Sequence, residues 1–174
     1  MQIRLESAKR LGRKLGLNEE KGFAVAIFLA LLIVSVAALS YFVWFSPPAE
    51  PYNSIYLLDS NKKAIDYPET LVSNQNSTFN VYVDVVNHLG RSASYQVQVK
   101  ITNSLATFPV DVPASQVLEV NNLGGNGQTS ENTATITENT VGSYSVVFEL
   151  WQQNSNGSYE FTQNFCKLPI QVIS

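Results

Sequence analysis

Thr78-Phe79-Asn80-Val81-Tyr82-Val83-Asp84-Val85-Val86-Asn87 alternates side chains with a period of two. Phe79, Val81, Val83 and Val85 share one face, and Asn80, Tyr82 and Asp84 share the other. This period belongs to a half-buried β-strand, because successive Cβ atoms of a strand point to opposite sides. The same pattern returns from Ser94 to Thr102, where Tyr95, Val97, Val99 and Ile101 oppose Gln96, Gln98 and Lys100. Between the two lies Asn87-His88-Leu89-Gly90-Arg91-Ser92, a turn-rich connection that predicts a hairpin. A third strand is expected over Ser143–Trp151, with Tyr144, Val146, Phe148 and Leu150 inward and Ser145 and Glu149 outward. The last is expected over Cys166–Ile173, with Cys166, Leu168, Ile170 and Val172 on one face. Weaker strands are expected around Ser54–Leu58, Gln116–Val120, Thr133–Thr137 and Tyr159–Thr162. Seven or eight short strands without a helical period predict a mainly β domain, a two-sheet sandwich of immunoglobulin-like type.

Upstream the pattern is different. From Phe23 to Phe45 there are 23 residues without a charge, and at 1.5 Å each they make about 35 Å of helix, enough to span a bilayer. Asn18 suits the N-cap and Glu19 and Glu20 the first turn. Tyr41, Trp44 and Phe45 sit where aromatic rings prefer the water interface, and Pro47-Pro48 prevent the helix from continuing. Arg4, Lys9, Arg10, Arg13, Lys14 and Lys21 crowd the N-terminal flank, whereas the first basic residue beyond the span is Lys62. This bias predicts a cytoplasmic N-terminus and an exported C-terminal domain. Bulky Tyr41, Phe42 and Trp44 stand where a cleavable signal needs small residues, so the span reads as an uncleaved anchor. The expected organisation is a basic tail (1–22), a transmembrane helix (23–45), a Pro-rich linker (46–52) and an extracytoplasmic β-sandwich (53–174). Ala8, Leu11 and Leu15 recur at helical spacing in the tail, as in a short basic helix on anionic headgroups.

The chain has 174 residues, a net charge of -3, one His and one Cys. A single Cys excludes an intrachain disulfide, and one Cys with one His excludes a Cys/His metal cluster. No catalytic residue, metal ligand or cofactor site is expected: His88 lies in a turn without a nucleophile and orienting group in sequence reach. Asp59, Asp66 and Glu69 do not form the alternating carboxylate loop that calcium requires. Cys166 has inward parity and reads as a small buried hydrophobe. Asn76-Ser77-Thr78 and Asn156-Gly157-Ser158 are Asn-x-Ser/Thr sequons in predicted turns, making Asn76 and Asn156 candidate glycosylation acceptors. The glycine-rich stretch Asn121–Asn132 is expected to be an exposed loop, with Leu123, Gly124, Gly125 and Asn126 as its candidate contact residues.

The run from Pro51 to Ser60, followed by Lys63, Ala64, Tyr67-Pro68, Asn76 to Val86 and Asn87-His88, resembles the exported C-terminal domain of an archaeal membrane-protein family, domain of unknown function 1616. That resemblance is specific over residues 51–88 and extends loosely to 174. It implies an envelope-located, immunoglobulin-like module and supplies no reaction. The family usually carries several spans before this domain, and this chain has one, so the roles of the other spans are not carried over.

The leading expectation is a non-catalytic, single-pass accessory subunit. Its helix would pack in a larger membrane assembly through small residues, Ala24, Ala30, Ala37 and Ala38, while its sandwich contacts proteins or glycoproteins. The expected partners are therefore the lipid bilayer, other membrane or surface proteins and glycans; six tethered basic residues without interleaved aromatics make a poor nucleic-acid reader. A second expectation is a pilin-like or archaellin-like filament subunit cleaved after Gly22. A third is a glycan or surface-layer binder using Tyr82, Trp151 or Tyr159 as stacking platforms.

Overall fold

The computed structural model describes residues 19–45, 50–104 and 107–174, in two compact units, 1–49 and 50–174. The basic tail, including Arg4, Lys9, Arg10, Arg13 and Lys14, and the Pro47-Pro48 part of the linker lie outside the described residues.

Among the described residues of the first unit, one helix, α1 (Glu19–Phe45), runs unbroken. Every side chain from Phe23 to Phe45 is exposed, and the helix is long and apolar enough to cross a membrane. Its hydroxyl-bearing Ser40 donates to the Val36 carbonyl at 2.8 Å, which satisfies the group without a water partner. Tyr41 stacks on Phe45 one turn later, with ring centroids 5.4 Å apart.

The second unit is a β-sandwich. Strands β1 (Tyr52–Leu58), β3 (Thr78–His88) and β6 (Gln128–Thr137) make one sheet in the order β1-β3-β6. The other sheet has the order β2-β8-β7-β4-β5, with β2 (Thr70–Val72), β4 (Ala93–Thr102), β5 (Gln116–Leu123), β7 (Gly142–Gln153) and β8 (Tyr159–Ile173). All pairs are antiparallel except β2 with β8. Val81, Val83 and Val85 from β3 meet Tyr95, Val97 and Val99 from β4 and Val146, Phe148 and Leu150 from β7 in one core, all of them fully buried. Each such valine or leucine contributes about 1.5 to 3 kcal/mol on leaving water.

The expected β3–β4 hairpin does not form. β3 and β4 belong to different sheets, and their connection crosses the core as an arch. Each strand carries an unbroken apolar face, and these faces are buried against each other rather than side by side in one layer. Asn87, fully buried, holds the arch: its Nδ2 donates to the carbonyls of Arg91 (2.9 Å) and Leu123 (2.7 Å), and its Oδ1 accepts from the Leu89 N–H. The two last expected strands are one, β8, which changes register against β7 between Glu149 and Trp151. Cys166, on β8, donates its thiol to the Ile55 carbonyl of the opposite sheet at 3.4 Å, and burial pushes that thiol up to about 11.

Glu149 was expected outward on β7, yet it is fully buried. The segment between β4 and β5 folds back over this face of the sheet. Lys100, on β4, meets Glu149 at 2.8 Å; its Nζ also donates to the Val110 carbonyl at 2.7 Å, while the Val110 N–H donates to Glu149 Oε1. The ion pair thus takes both backbone groups of Val110, as a neighbouring strand would. Glu149→Ala strands the Lys100 charge, and unfolding calorimetry is expected to show a loss of about 3 to 5 kcal/mol. The double variant Lys100→Met/Glu149→Leu is expected to recover most of it.

On the outer face of the smaller sheet, Asp84 stands opposite Glu131, whose carboxylate is held by Lys62 at 2.9 Å. Asp84 Oδ1 is buried without a partner. Burial, and then the neighbouring Glu131 charge, raise this carboxyl above its usual range. A raised folded value means that the native state holds the proton more tightly, so Asp84 lowers stability as pH rises above the ordinary carboxylate value. Asp84→Asn is expected to raise the melting temperature at pH 7, with the gain fading as pH falls toward 4; an equal shift at both pH values refutes this account.

Candidate interaction surfaces

Two surfaces of the larger sheet carry concentrated chemistry. The first lies on the outer face beside the buried ion pair. Phe108, brought there by the clamp on Val110, stacks on Phe165 of β8 with ring centroids 3.8 Å apart. Both rings remain exposed, at 37% and 40%. Nearby, Trp151 packs against Phe161 with centroids 5.6 Å apart, its Nε1 donates to Glu149 Oε2 at 3.3 Å, and Lys100 Nζ lies 5.7 Å from the indole centroid. The aromatic pair is therefore an apolar knob fixed to the sheet by a charged clamp beneath it.

The second is a polar cleft of about 670 Å³ at the end of the sandwich where β4, β5, β7 and β8 meet. Two irregular strand positions shape it. Between Ala93 and Tyr95 the β4–β5 ladder shifts register, and Asn122 has a left-handed backbone, φ 52°. On β8, next to the lining residue Thr162, Gln163 has φ 67° where β8 slips against β7. Bulges of this kind bend a strand and re-aim its side chains. Asn53 spans the two sheets here: its Nδ2 donates to Gln152 Oε1 at 3.3 Å, and its carbonyl and Oδ1 accept from Asn164 Nδ2. Tyr95, fully buried beneath, has its hydroxyl beside Asn53 but outside hydrogen-bonding geometry. Burial is the main cause of its raised phenol.

The expected contact loop is far shorter than Asn121–Asn132, because strands β5 and β6 extend into it and leave residues 124–127. Leu123 is not at a tip but in the core, 8% exposed. Gly125 is pressed against the arch: a Cβ there would lie 2.1 Å from the Arg91 nitrogen, and its carbonyl accepts the Gly90 N–H at 3.0 Å. Gly124 donates to Gln128 Oε1, so of the four expected contact residues Asn126 alone is fully exposed. The glycines serve close approach, a requirement that resembles flexibility in a sequence.

Among the other expected residues, Asn76 and Asn156 are exposed in turns, Asn76 in the Val72–Asn76 turn and Asn156 in the β7–β8 connection. His88 stacks on Tyr52 with centroids 4.4 Å apart. Asp59 accepts the N–H groups of Asn61 and Lys63, which hold its carboxyl below the usual range, Lys63 foremost. The three proposed stacking platforms are half-buried rather than open: Tyr82 lies beneath Lys62, Trp151 is engaged by its neighbours, and Tyr159 is partly covered. On α1, at about 100° per residue, Ala30 and Ala37 lie about 20° apart, but Ala24 and Ala38 lie about 140° and about 100° round from Ala37, close to one another. The four alanines therefore do not share a face; Ala26 is the residue that joins Ala30 and Ala37. Phe108 and Phe165, missed in the sequence, become visible only once residues 107–115 are seen to lie over the sheet.

No family model matches the chain, and no curated protein matches it. Among solved structures, the chain is similar to the CARDB domain of the PF1109 protein from Pyrococcus furiosus, crystallised in complex with di-metal ions. That likeness has 14% identity over 73% of this chain and 97% of that one, with a TM-score of 0.48. It is also similar to the PmoD soluble domain from Methylocystis sp. (10% identity, 72% of this chain and 94% of that one, TM-score 0.32). A third is a PapD-like domain of human CEP192 (8% identity, 73% and 88% coverage, TM-score 0.29). By its own elements, the chain is an N-terminal apolar helix followed by a β-sandwich.

Proposed function

We propose that this chain is a single-pass membrane protein with a cytoplasmic N-terminus, a non-catalytic accessory or scaffold subunit whose exported sandwich makes contacts with protein or glycoprotein partners in the cell envelope. The observation that carries this reading is the Phe108–Phe165 knob, exposed yet immobilised by the Lys100–Glu149 clamp. Rigid aromatic side chains lose little entropy on binding and recur as the energetic anchors of protein interfaces. The charge bias across α1 supports the orientation. The resemblance of residues 51–88 to the archaeal envelope family supports the location.

Purification of the full-length chain from native membranes in mild detergent, followed by mass spectrometry of the eluate and of the chain's own N-terminal peptide, tests the reading. The expected result is an intact Met1–Lys21 segment together with stoichiometric membrane companions. Phe165→Ala and Phe108→Ala are expected to lower companion recovery several-fold while leaving the melting temperature within a few degrees. A chain starting at Phe23 in a high-mass homopolymer refutes it in favour of the filament subunit. A solitary full-length chain refutes the accessory role.

A further inference from the structure

The polar cleft gathers several side chains of complementary hydrogen-bonding character. Asn53, Asn122 and Gln152 present planar amides, each able to donate and to accept. Asn53 and Gln152 hold one another in a fixed orientation. Glu160 forms a carboxylate wall, oriented by the Asn154 Nδ2 at 2.9 Å, and Phe161 supplies an aromatic side braced by Trp151. Arg91, at the rim, is exposed, and its guanidinium has no ion pair or hydrogen bond among the described residues.

Residues 51–174 are acidic, with five Lys/Arg and ten Asp/Glu, and Arg91 is the basic residue that lines this cleft. Lys62 and Lys100 are both spent on carboxylates. Amides of dual character match the hydroxyls of a polyol, an aromatic ring matches its C–H face, and a guanidinium matches a carboxylate with two parallel bonds. A strand irregularity at Asn122 lies in the cleft wall, and a second, at Gln163, follows the lining residue Thr162. Beneath it lies the Tyr95 hydroxyl, a buried donor with no acceptor. Left-handed backbone at a non-glycine residue costs energy and tends to persist where it shapes a site.

We infer that this cleft is a binding site for an acidic saccharide, a hexuronate whose hydroxyls meet the Asn53, Asn122 and Gln152 amides and whose carboxylate meets Arg91. The inference concerns a different surface from the Phe108–Phe165 knob and stands independently of the companions that the chain keeps. Glu160, which also lines the cleft, takes a ring hydroxyl.

Full-length protein in a polyoxyethylene detergent, which has no sugar headgroup to compete, is titrated with methyl β-glucuronide and methyl β-glucoside, with saturation-transfer NMR reporting binding. The glucuronide is expected to bind, with the glucoside about tenfold weaker, as fits the loss of one charge-assisted contact. Arg91→Gln is expected to bring the glucuronide down to the level of the glucoside without moving the melting temperature, since the side chain has no partner to lose. Asn122→Gly keeps the left-handed backbone and is expected to weaken both ligands. Transfer to neither sugar, equal binding of the two, or glucuronide binding unchanged in Arg91→Gln overturns the proposal.

Discussion

Lys100 and Glu149 face away from the core on adjacent central strands of the larger sheet, and their mutual neutralisation allows that sheet to be covered on both sides. Alone, either charge would demand water and would keep residues 107–115 off the sheet. Paired, they offer a cation and a carboxylate to the carbonyl and the N–H of Val110, so a connection without strand structure is bound as firmly as an edge strand. Phe108 is delivered onto Phe165 as a result, and the central strands β4 and β7 become the most protected part of the molecule. A buried pair of this kind is weak evidence for added stability over an apolar replacement. Its value is positional: it fixes where the connection runs.

The strands were legible in the sequence because their physics is local. Alternation at Phe79–Val85, Tyr95–Ile101 and Tyr144–Leu150 marked both the elements and the inward faces, and the apolar run Phe23–Phe45 marked the helix. The pairing of strands was less legible. A short turn-rich connection between two alternating strands serves a hairpin and an interlayer arch equally well, and the deciding bonds of Asn87 reach residues as distant as Leu123. Parity also misread Glu149, because period two says which side a residue faces and not what covers that side.

The polar cleft was invisible for a related reason. Its residues come from β1, the β3–β4 arch, β5, β7 and β8, and no two of them form a motif. The nearest sequence signal was the polar run after Val120, which reads as mobility but is a bulge at Asn122 followed by a tight glycine turn locked against the arch. The larger sheet thus has a regular centre clamped by charge and an irregular end whose side chains are turned outward, one region for rigidity and the other for variable chemistry.

The contact of the Cys166 thiol with the Ile55 carbonyl has a bearing on where such a domain can fold. The sandwich is joined across its layers by packing and hydrogen bonds, with no covalent staple to form or reshuffle. Its thiol is kept protonated and turned toward the opposite sheet, which slows exchange with oxidants and disulfide donors. The chain therefore closes its sandwich without any intrachain thiol chemistry, in a reducing or an oxidising medium alike.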